Sequence, residues 1–145
     1  MAREQQFGGT CAIFRVASLT ASLEYYVGVL GFQVNWQHPA IASVSRGRCC
    51  IFLSEGDQGN PGAWVWIGVE DAGALHEEWR EKGAIIRNPP ENFEWAYEMQ
   101  VADPDGNVMR FGSDTLKGEP AGTWLDMYGV RWAQTPGGGW TKVQS

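Results

Sequence analysis

Two stretches of the chain alternate hydrophobic and polar residues with period two, and a helical pattern follows each of them. The first stretch is Cys11–Val16, which predicts a strand. Ser18 or Thr20 can cap the next helix, and Gly31 ends that helix as a C′ residue would. The helix carries one apolar stripe, formed by Leu23, Tyr26, Val27 and Leu30. Three short strands are predicted after it, at Phe32–Trp36, about Ala42–Ser45 and Cys49–Leu53.

The same order of elements recurs after residue 60. Trp64–Val69 alternates as a strand, and Asp71 caps a helix that ends at Gly83. Asn88–Glu94, which contains two consecutive prolines, is predicted as a loop, whereas Asp103–Gly106 is a strong turn signal. Strands are therefore predicted around that loop and that turn, at Ala84–Arg87, Tyr97–Ala102 and Val108–Gly112.

The two halves of the chain form an internal repeat. Superposing Val16 on Val69 and Gly31 on Gly83 brings them into register, with one more residue in the first helix. This repeat predicts an α+β fold of two β-α-β-β-β modules, whose strands form a curved mixed sheet around a cleft. Within one domain, residues 1–145, the first module covers about 10–55, the second about 62–113, and a C-terminal extension follows at 114–145.

The strand alternation also predicts which residues line the cleft. If one face of a sheet packs on the helix, the opposite face must meet something else. Period two places Ile13, Arg15, Trp64, Trp66 and Arg110 on that second face. Two large indoles in a cleft need a partner, which is either packed side chains or a ligand.

Composition narrows the classes of function. The 145-residue chain has a formal net charge of −6 at pH 7, which argues against a nucleic-acid partner. No apolar run approaches the roughly 20 residues that cross a bilayer, and the start lacks the apolar core of a signal peptide. We therefore expect a cytoplasmic protein with no membrane partner. The three cysteines, Cys11, Cys49 and Cys50, are odd in number, so we expect reduced, buried thiols.

Acidic residues and tryptophans are unevenly represented. Residues 1–60 carry equal numbers of acidic and basic side chains, so the whole negative charge lies after residue 60. Between Glu91 and Asp105 there are five carboxylates and no Lys or Arg. A solvated loop or a pocket for a cationic ligand would explain them. The 8 tryptophans suit the stacking of flat ligands, although packing in a core or an interface is the plainer explanation.

The extension beyond residue 113 contains Trp124, Trp132 and Trp140 among Gly and Pro residues. We predict an added hairpin whose tryptophans pack on the body of the protein or on a second subunit. Covering one mouth of the cleft is a further alternative.

Two segments carry a family resemblance. The first reads V16-x-x-L19-x-x-S22-L23-E24-Y25-Y26-x-x-x-L30-G31-F32, and the second reads D103-P104-D105-G106-N107-x-x-R110-F111-G112. They resemble the first half and the end of the second half of the glyoxalase/bleomycin-resistance/extradiol-dioxygenase family, the vicinal oxygen chelate superfamily. The resemblance covers roughly Thr10–Gly112. It implies paired β-α-β-β-β modules that form a cleft, usually in a homodimer.

Enzymes of that family bind a divalent metal through His, Gln or Glu on the first and last strands of each module. The resemblance places these positions at Cys11 (or Thr10), Trp64, Cys50–Phe52 and Arg110. An Arg cannot ligate a metal, and a Trp offers no usable lone pair. We therefore expect no metal and no cofactor. The lyase, epimerase and dioxygenase activities of the family depend on the metal, so we do not expect them here.

The metal-free branch of the family includes bleomycin resistance proteins, which sequester a flat, cationic antibiotic without altering it. The ending Arg110–Gly112 is similar to that branch, and the resemblance places stacking aromatics at Trp36 and at Phe93 or Trp95. Aromatic faces stack on planar rings and attract cations, and carboxylates such as Glu98 would pair with positive charge. The first hypothesis is a protein that binds a planar, cationic natural product and gives resistance without turnover.

Two other hypotheses remain open. In a metal-independent lyase or isomerase, Glu98 would act as a base and Arg110 or Arg15 would hold a substrate carboxylate. A structural ion pair between Glu98 and Arg110 on neighbouring strands is the interpretation that we prefer for these two residues. The third hypothesis is a structural or regulatory dimer module with its aromatics at the interface.

Overall fold

The structure, a computed structural model, describes residues 3–144 and contains the predicted repeat of elements. The first repeat consists of β1 (Cys11–Arg15), α1 (Leu19–Leu23), a π-helical turn (Glu24–Val29), β2 (Gln33–Gln37), β3 (Ile41–Arg46) and β4 (Cys49–Ser54). The second repeat consists of β5 (Trp64–Gly68), α2 (Ala72–Trp79), β6 (Ile85–Asn92), β7 (Tyr97–Ala102) and β8 (Val108–Ser113). The extension adds three short strands, β9 (Thr123–Leu125), β10 (Arg131–Gln134) and β11 (Trp140–Lys142).

Within residues 3–144 the strands form two four-stranded sheets and one three-stranded sheet. The first sheet has the order β1-β4-β3-β2, in which β1 runs parallel to β4 and the other pairs are antiparallel. The second has the order β5-β8-β7-β6, and the extension forms its own antiparallel sheet in the order β11-β10-β9. The predicted α+β class and the twice-repeated β-α-β-β-β order are therefore confirmed.

Contacts divide the chain into two compact units, each with its own hydrophobic core. The first unit runs up to Val65 and includes Asp103–Asn107, whereas the second joins Trp66–Ala102 to the chain from Val108 onward. Buried side chains of the first unit are Phe14, Val16, Tyr26, Leu30, Val44, Ile51 and Leu53. Those of the second are Trp79, Met99, Val101, Met109 and Phe111.

The first helix differs from the prediction because it widens after one turn. Ser18 caps it by accepting a hydrogen bond from the Ala21 amide, as predicted. From Glu24 onward the bonds span five residues, as in the bond from the Leu30 amide to the Tyr25 carbonyl. A π turn holds one more residue than an α turn, which accounts for the extra residue of the first repeat. The wider turn changes the directions in which its side chains point. Val27, which an α-helical stripe places in the core, is exposed, and Tyr25 is buried.

The predicted loop Asn88–Glu94 is wrong for most of its length, because β6 continues through both prolines to Asn92. Proline cannot donate to a strand ladder and is tolerated at a sheet edge. The strand β6 is the edge of its sheet, and its register with β7 shifts twice, between Ile86 and Asn88 and between Asn88 and Glu91. The edge position and these irregularities explain how Pro89 and Pro90 fit into a strand.

The expectation of reduced thiols is wrong for two of the three cysteines. Cys11 and Cys50 are joined by a disulfide, whereas Cys49 is a free thiol. The two bonded residues are direct partners in the parallel β1–β4 pair. Cys49 lies next to Cys50 on β4, and alternation turns its side chain to the opposite face. Burial raises the pKa of the Cys49 thiol.

A buried polar cluster holds the Asp103–Asn107 turn in the first unit. The Tyr26 hydroxyl donates to Asp103 Oδ2 at 3.0 Å, and the Asn107 side chain donates to the same oxygen at 3.0 Å. The Asn107 backbone amide donates to Asp103 Oδ1 at 2.9 Å. Burial raises the pKa of Asp103, and burial followed by the neighbouring Asp103 raises the pKa of Tyr26 well above 10.0. The turn predicted from Asp103–Gly106 is confirmed.

Replacing Tyr26 with Phe should flatten the alkaline pH dependence of stability. The unfolded phenol loses its proton near pH 10, whereas the folded one keeps it because its pKa is raised. The wild-type free energy of unfolding therefore falls as pH rises from the unfolded to the folded pKa, by up to about 1.4 kcal/mol per pH unit. Urea unfolding of both proteins between pH 8 and pH 11 measures this difference. Equal slopes for Tyr26→Phe and the wild type would contradict the assignment.

Candidate functional site

The second unit is organised around a buried carboxylate, Glu98 on β7, which is 1% exposed. Arg110 on β8 donates from Nε to Oε2 at 2.8 Å and from Nη2 to Oε1 at 3.1 Å. The indole nitrogens of Trp95 and Trp66 donate to Oε1 at 2.6 and 3.3 Å. A carboxylate offers about four acceptor positions, and Glu98 accepts four hydrogen bonds, three of them at Oε1. The bidentate, charge-assisted pair with Arg110 is the strongest of these interactions.

Strand register explains why these two charges meet. In the β7–β8 pair Glu98 lies opposite Gly112, and Arg110 lies opposite Gln100, two residues away. Period two puts Glu98 and Arg110 at diagonal positions on one face of the sheet, within reach of long side chains. The preferred interpretation of the sequence, a structural ion pair between neighbouring strands, agrees with this geometry.

Gly112 leaves the space through which Trp66 reaches Glu98. The strand order β5-β8-β7 puts β8, and with it Gly112, between the strands that carry the indole and the carboxylate. A Cβ atom at Gly112 would lie 2.7 Å from Cζ2 and 3.0 Å from Cε2 of the Trp66 ring, closer than van der Waals contact allows. The absence of a side chain at this position is therefore a requirement for the hydrogen bond between Trp66 and Glu98.

Phe93 and Trp95, the two alternatives for one stacking position, lie on top of each other. Their rings are parallel within 2°, with centroids 4.6 Å apart. Phe93 is 2% exposed and forms the lower layer, whereas Trp95 is 46% exposed and presents its outer face. Trp124 of the extension meets both rings edge-on, at 6.1 and 6.2 Å. Of the two alternatives, Trp95 offers the accessible ring.

The extension is held on the second module by polar contacts to β6 and β7. Glu91 accepts from the Thr123 amide at 3.0 Å and from Arg131 at 3.4 Å, and Arg131 also donates to the Asn88 side chain at 2.8 Å. Gln100 donates to the carbonyl of Leu125 at 2.9 Å. The sequence left open whether the tryptophans of the extension pack on the body of the protein or on a second subunit, and here Trp124 packs on the body.

Register in the extension puts its three tryptophans on one face. Trp132 on β10 lies directly opposite Trp124 on β9. On β11, Lys142 lies opposite Trp132, so Trp140, two residues earlier, shares that face. The Trp140 ring is 6.1 Å from that of Trp95, and the Arg110 guanidinium lies 4.7 Å from the centre of the Trp124 ring. This guanidinium–indole distance is typical of a cation–π contact.

These side chains line an open cavity of about 590 Å³ in the second unit. Its lining consists of Trp95, Arg110, Trp124, Asp126, Trp132 and Trp140. Four of the 8 tryptophans of the chain line the cavity, and three of these four belong to the extension. The volume lies within the range of small-molecule sites in proteins.

Asp126 supplies a carboxylate to the cavity wall. Its Oδ2 accepts from the indole nitrogen of Trp132 at 2.9 Å, and its Oδ1 accepts from the amides of Tyr128 and Val130 at 2.9 Å each. The Trp132 hydrogen bond, followed by the Val130 hydrogen bond, lowers the pKa of Asp126 below its usual value. The group is therefore ionised at neutral pH and fixed in orientation.

The remaining site residues predicted from the sequence belong to the first unit. Arg15 donates from Nε to the Gln58 carbonyl at 2.9 Å. Trp36, partly exposed, lies 5.2 Å from the Phe52 ring and 5.4 Å from the His38 ring. Trp64 begins β5 and is half-buried. The structure thus brings five predicted site residues together in the second unit, namely Trp66, Phe93, Trp95, Glu98 and Arg110.

The positions that the resemblance assigns to a metal do not fit one. Cys11 and Cys50 are bonded to each other, Arg110 is a cation held by Glu98, and Trp64 has no usable lone pair. In residues 3–144 no three His, Cys, Asp or Glu side chains lie together in a way that could hold an ion. The same part of the chain has no helix with the length and hydropathy needed to span a membrane.

Comparison with known proteins identifies the family. Residues 9–111 match the model of the Glyoxalase/Bleomycin resistance protein/Dioxygenase superfamily, and the chain belongs to that superfamily. Trp124, Asp126, Trp132 and Trp140 lie beyond the matched range. A search of curated proteins gave no match.

Solved structures share the fold. The bleomycin-binding protein from bleomycin-producing Streptomyces verticillus, complexed with copper(II)-bleomycin, is 26% identical, with a TM-score of 0.68 over 76% of this chain and 98% of that chain. TnmS3, an antibiotic binding protein from Streptomyces sp. CB03234, is 17% identical, with a TM-score of 0.68 over 78% and 100%. TioX from Micromonospora sp. ML1 is 17% identical, with a TM-score of 0.65 over 76% and 100%.

Sequence reasoning did not assign the extension to the site. Its tryptophans were noted, but Trp124, Trp132, Trp140 and Asp126 were not among the candidate ligand-binding residues. The signal that would have found them is spacing, because the three tryptophans recur every eight residues across two turn sequences. Equal spacing across tight turns places residues on one face of an antiparallel sheet.

Replacing Arg110 with Met should destabilise the protein by roughly 3 kcal/mol, because it leaves Glu98 buried without its charged partner. The double variant Glu98→Gln/Arg110→Met should recover at least half of that loss, since the uncompensated charge is gone. Chemical denaturation of the wild type, both single variants and the double variant measures the coupling. Additive effects would contradict the ion pair.

Replacing Gly112 with Ala should push the Trp66 ring off Glu98 and cost about 1.5 kcal/mol, as overpacking does. Gly137→Ala is the matched control, because nothing lies within 4 Å of a Cβ atom there, and it should change stability by under about 0.5 kcal/mol. Urea unfolding and acrylamide quenching of tryptophan emission measure both variants. If Gly112→Ala behaves like the control, the close approach of Trp66 is not what the structure indicates.

Proposed function

We propose that this protein binds a planar, cationic natural product of the bleomycin type and sequesters it without chemical turnover, which gives resistance to the compound. The observation that carries the proposal is the 26% identity to a bleomycin-binding protein complexed with copper(II)-bleomycin, over almost the whole of that chain. The two proteins share the fold, and the present chain belongs to the superfamily that includes bleomycin resistance proteins. The aromatic cavity of its second unit offers ring surfaces on which a planar ligand can stack.

The lining of the cavity supports stacking of a flat ligand. Four indoles face it, and Trp95 is already stacked on one side by Phe93, so its other side is available. An aromatic pair in offset or edge geometry contributes about 0.5–1.5 kcal/mol beyond area burial. Several such contacts add to the affinity, and rings that are held in place before the ligand arrives lose little conformational entropy on binding.

The hydrogen bonding of Glu98 favours binding over catalysis. A general base must reach the proton it abstracts. Glu98 is 1% exposed, and its two oxygens already accept from Arg110, Trp95 and Trp66. The carboxylate therefore works as a structural acceptor, and the proposed base of the alternative enzyme is occupied.

The proposal extends to the rest of the protein. We propose a single-domain subunit acting in the cytoplasm as a homodimer, as the family resemblance implies. Arg15, Trp36 and Trp64 of the first unit are proposed as further ligand contacts, supported by the partly exposed ring of Trp36.

Titration with copper(II)-bleomycin and metal-free bleomycin tests the function. We expect saturable quenching of tryptophan fluorescence and a calorimetric Kd of about 1 μM or tighter, equivalent to about −8 kcal/mol. Mass spectrometry should recover the ligand with its mass unchanged. Copper(II) ions alone serve as the control for quenching by the metal. Absence of heat with both forms of bleomycin, or a changed ligand mass, would contradict the proposal.

A further inference from the structure

We propose that the C-terminal extension is the recognition element of this protein, and that Asp126 with Trp124, Trp132 and Trp140 selects a flat aromatic ring carrying a positive charge. This inference rests on the proposed function in the sense that it places and specifies the ligand site. These four residues lie outside the family model, so the family match alone assigns them no role.

The site is built before any ligand arrives. The loop that carries Asp126 is fixed at both ends, since the Asp126 amide donates to the Val130 carbonyl at 2.9 Å and Arg87 donates to the carbonyls of Leu125 and Asp126. The strand β9 is held against β6 by Glu91, which accepts from the Thr123 amide at 3.0 Å. A preorganised wall loses little conformational entropy on binding.

The aromatic walls come from two different parts of the chain. The second module supplies Trp95, and the extension supplies Trp124, Trp132 and Trp140. Trp95 and Trp140 are tilted by 50° with centroids 6.1 Å apart, whereas Trp95 and Trp124 are nearly perpendicular. These rings line one open cavity, and the negative faces of indoles attract cations.

The charges on the wall favour a positive ligand. The Arg110 guanidinium is matched by the bidentate pair with Glu98. The carboxylate of Asp126 accepts from one indole N–H and two amide N–H groups, and these neutral donors orient the negative charge without cancelling it. Arg87 donates to main-chain carbonyls and to Gln100, and its charge lowers the pKa of Asp126 less than any of the three hydrogen bonds to that carboxylate does.

The chemical class that fits is a tricyclic or similar flat heteroaromatic cation. The cavity of about 590 Å³ accepts a ring system of that size with room for a substituent. A cation over an indole face gains about 0.5 to 2 kcal/mol, and a carboxylate at the edge of the ring adds to this preference. A neutral ring of the same shape retains the stacking but lacks the interactions of a positive charge with the indole faces and with the carboxylate.

Three acridines that share one tricyclic ring system test the charge selection by calorimetry at pH 8. N-methylacridinium is a permanent cation, acridine is neutral at that pH, and acridine-9-carboxylate is an anion. The wild type should bind the cation about tenfold more tightly than the neutral ring, and the anion least, because the cation alone gains both the indole and the Asp126 interactions. Equal affinity for cation and neutral ring, or a preference for the anion, would overturn the proposal.

Matched variants locate the site. Asp126→Asn keeps an oxygen for the amides of Tyr128 and Val130 and loses the acceptor for the Trp132 indole. It should weaken N-methylacridinium binding about tenfold, while acridine stays within about twofold. Trp140→Ala should weaken binding of all three rings about fivefold. The controls are Asp114→Asn, an exposed carboxylate of the second unit, and Phe7→Ala, a 95% exposed aromatic outside the lining. Circular dichroism and thermal unfolding verify that each variant folds.

Parallel titrations with copper(II)-bleomycin separate this inference from the proposed function. If the wild type binds copper(II)-bleomycin and neither Asp126→Asn nor Trp140→Ala weakens that binding, the inference is overturned and the proposed function stands. Charge-selective acridinium binding lost in both variants, with no bleomycin binding, would support the site and contradict the bleomycin-type function. No binding of any probe would overturn both.

Discussion

The buried carboxylate of Glu98 is the interaction on which the second unit depends. An ionised group at 1% exposure is stable only if its oxygens are paired, and here one guanidinium and two indoles supply the hydrogens. The same bonds that satisfy the charge fix the orientation of Arg110, Trp95 and Trp66. A charge that must be neutralised thus sets the positions of the aromatic rings around it.

The extension packs on the side chains that Glu98 holds in position. Trp124 lies against the guanidinium of Arg110, and Trp140 lies against the outer ring of Trp95. Prolines and register shifts interrupt the regular hydrogen-bond ladder of the edge strand β6. The extension bonds to polar groups of this strand, through Glu91 and its partners. An edge strand is otherwise a site for association with other chains, so covering it also protects the sheet. Three of the four indoles that line the cavity come from the extension, beyond the residues that match the family model.

Much of the fold could be predicted because its signals are local. Caps at Ser18 and Asp71, the turn at Asp103–Gly106 and the repeated alternation each depend on residues close together in sequence, and all are present. The π turn was visible as the one extra residue of the first repeat, yet the stripe through Val27 assumed an α-helix. Local patterns give the type and order of elements but not the pitch of a single turn.

Features that depend on contacts between strands far apart in the chain could not be predicted. The disulfide requires that Cys11 on β1 meet Cys50 on β4, a pairing fixed by the parallel register of two strands far apart in sequence. The role of Gly112 requires knowing that β8 lies between β5 and β7. The ligand-sized cavity requires the three strands of the extension to pair in one register and then pack on Trp95. Each is a non-local contact that hydrophobic periodicity does not encode.

The central claim is that the cavity walled by Trp95, Trp124 and Trp140 holds a planar cation. A crystal structure of the protein with copper(II)-bleomycin tests it most directly, since the anomalous signal of copper locates the ligand independently of the protein map. We expect the flat end of the ligand between these indoles, with its positive charge towards Asp126. A bound ligand elsewhere on the protein, with that cavity holding only water, would contradict the claim.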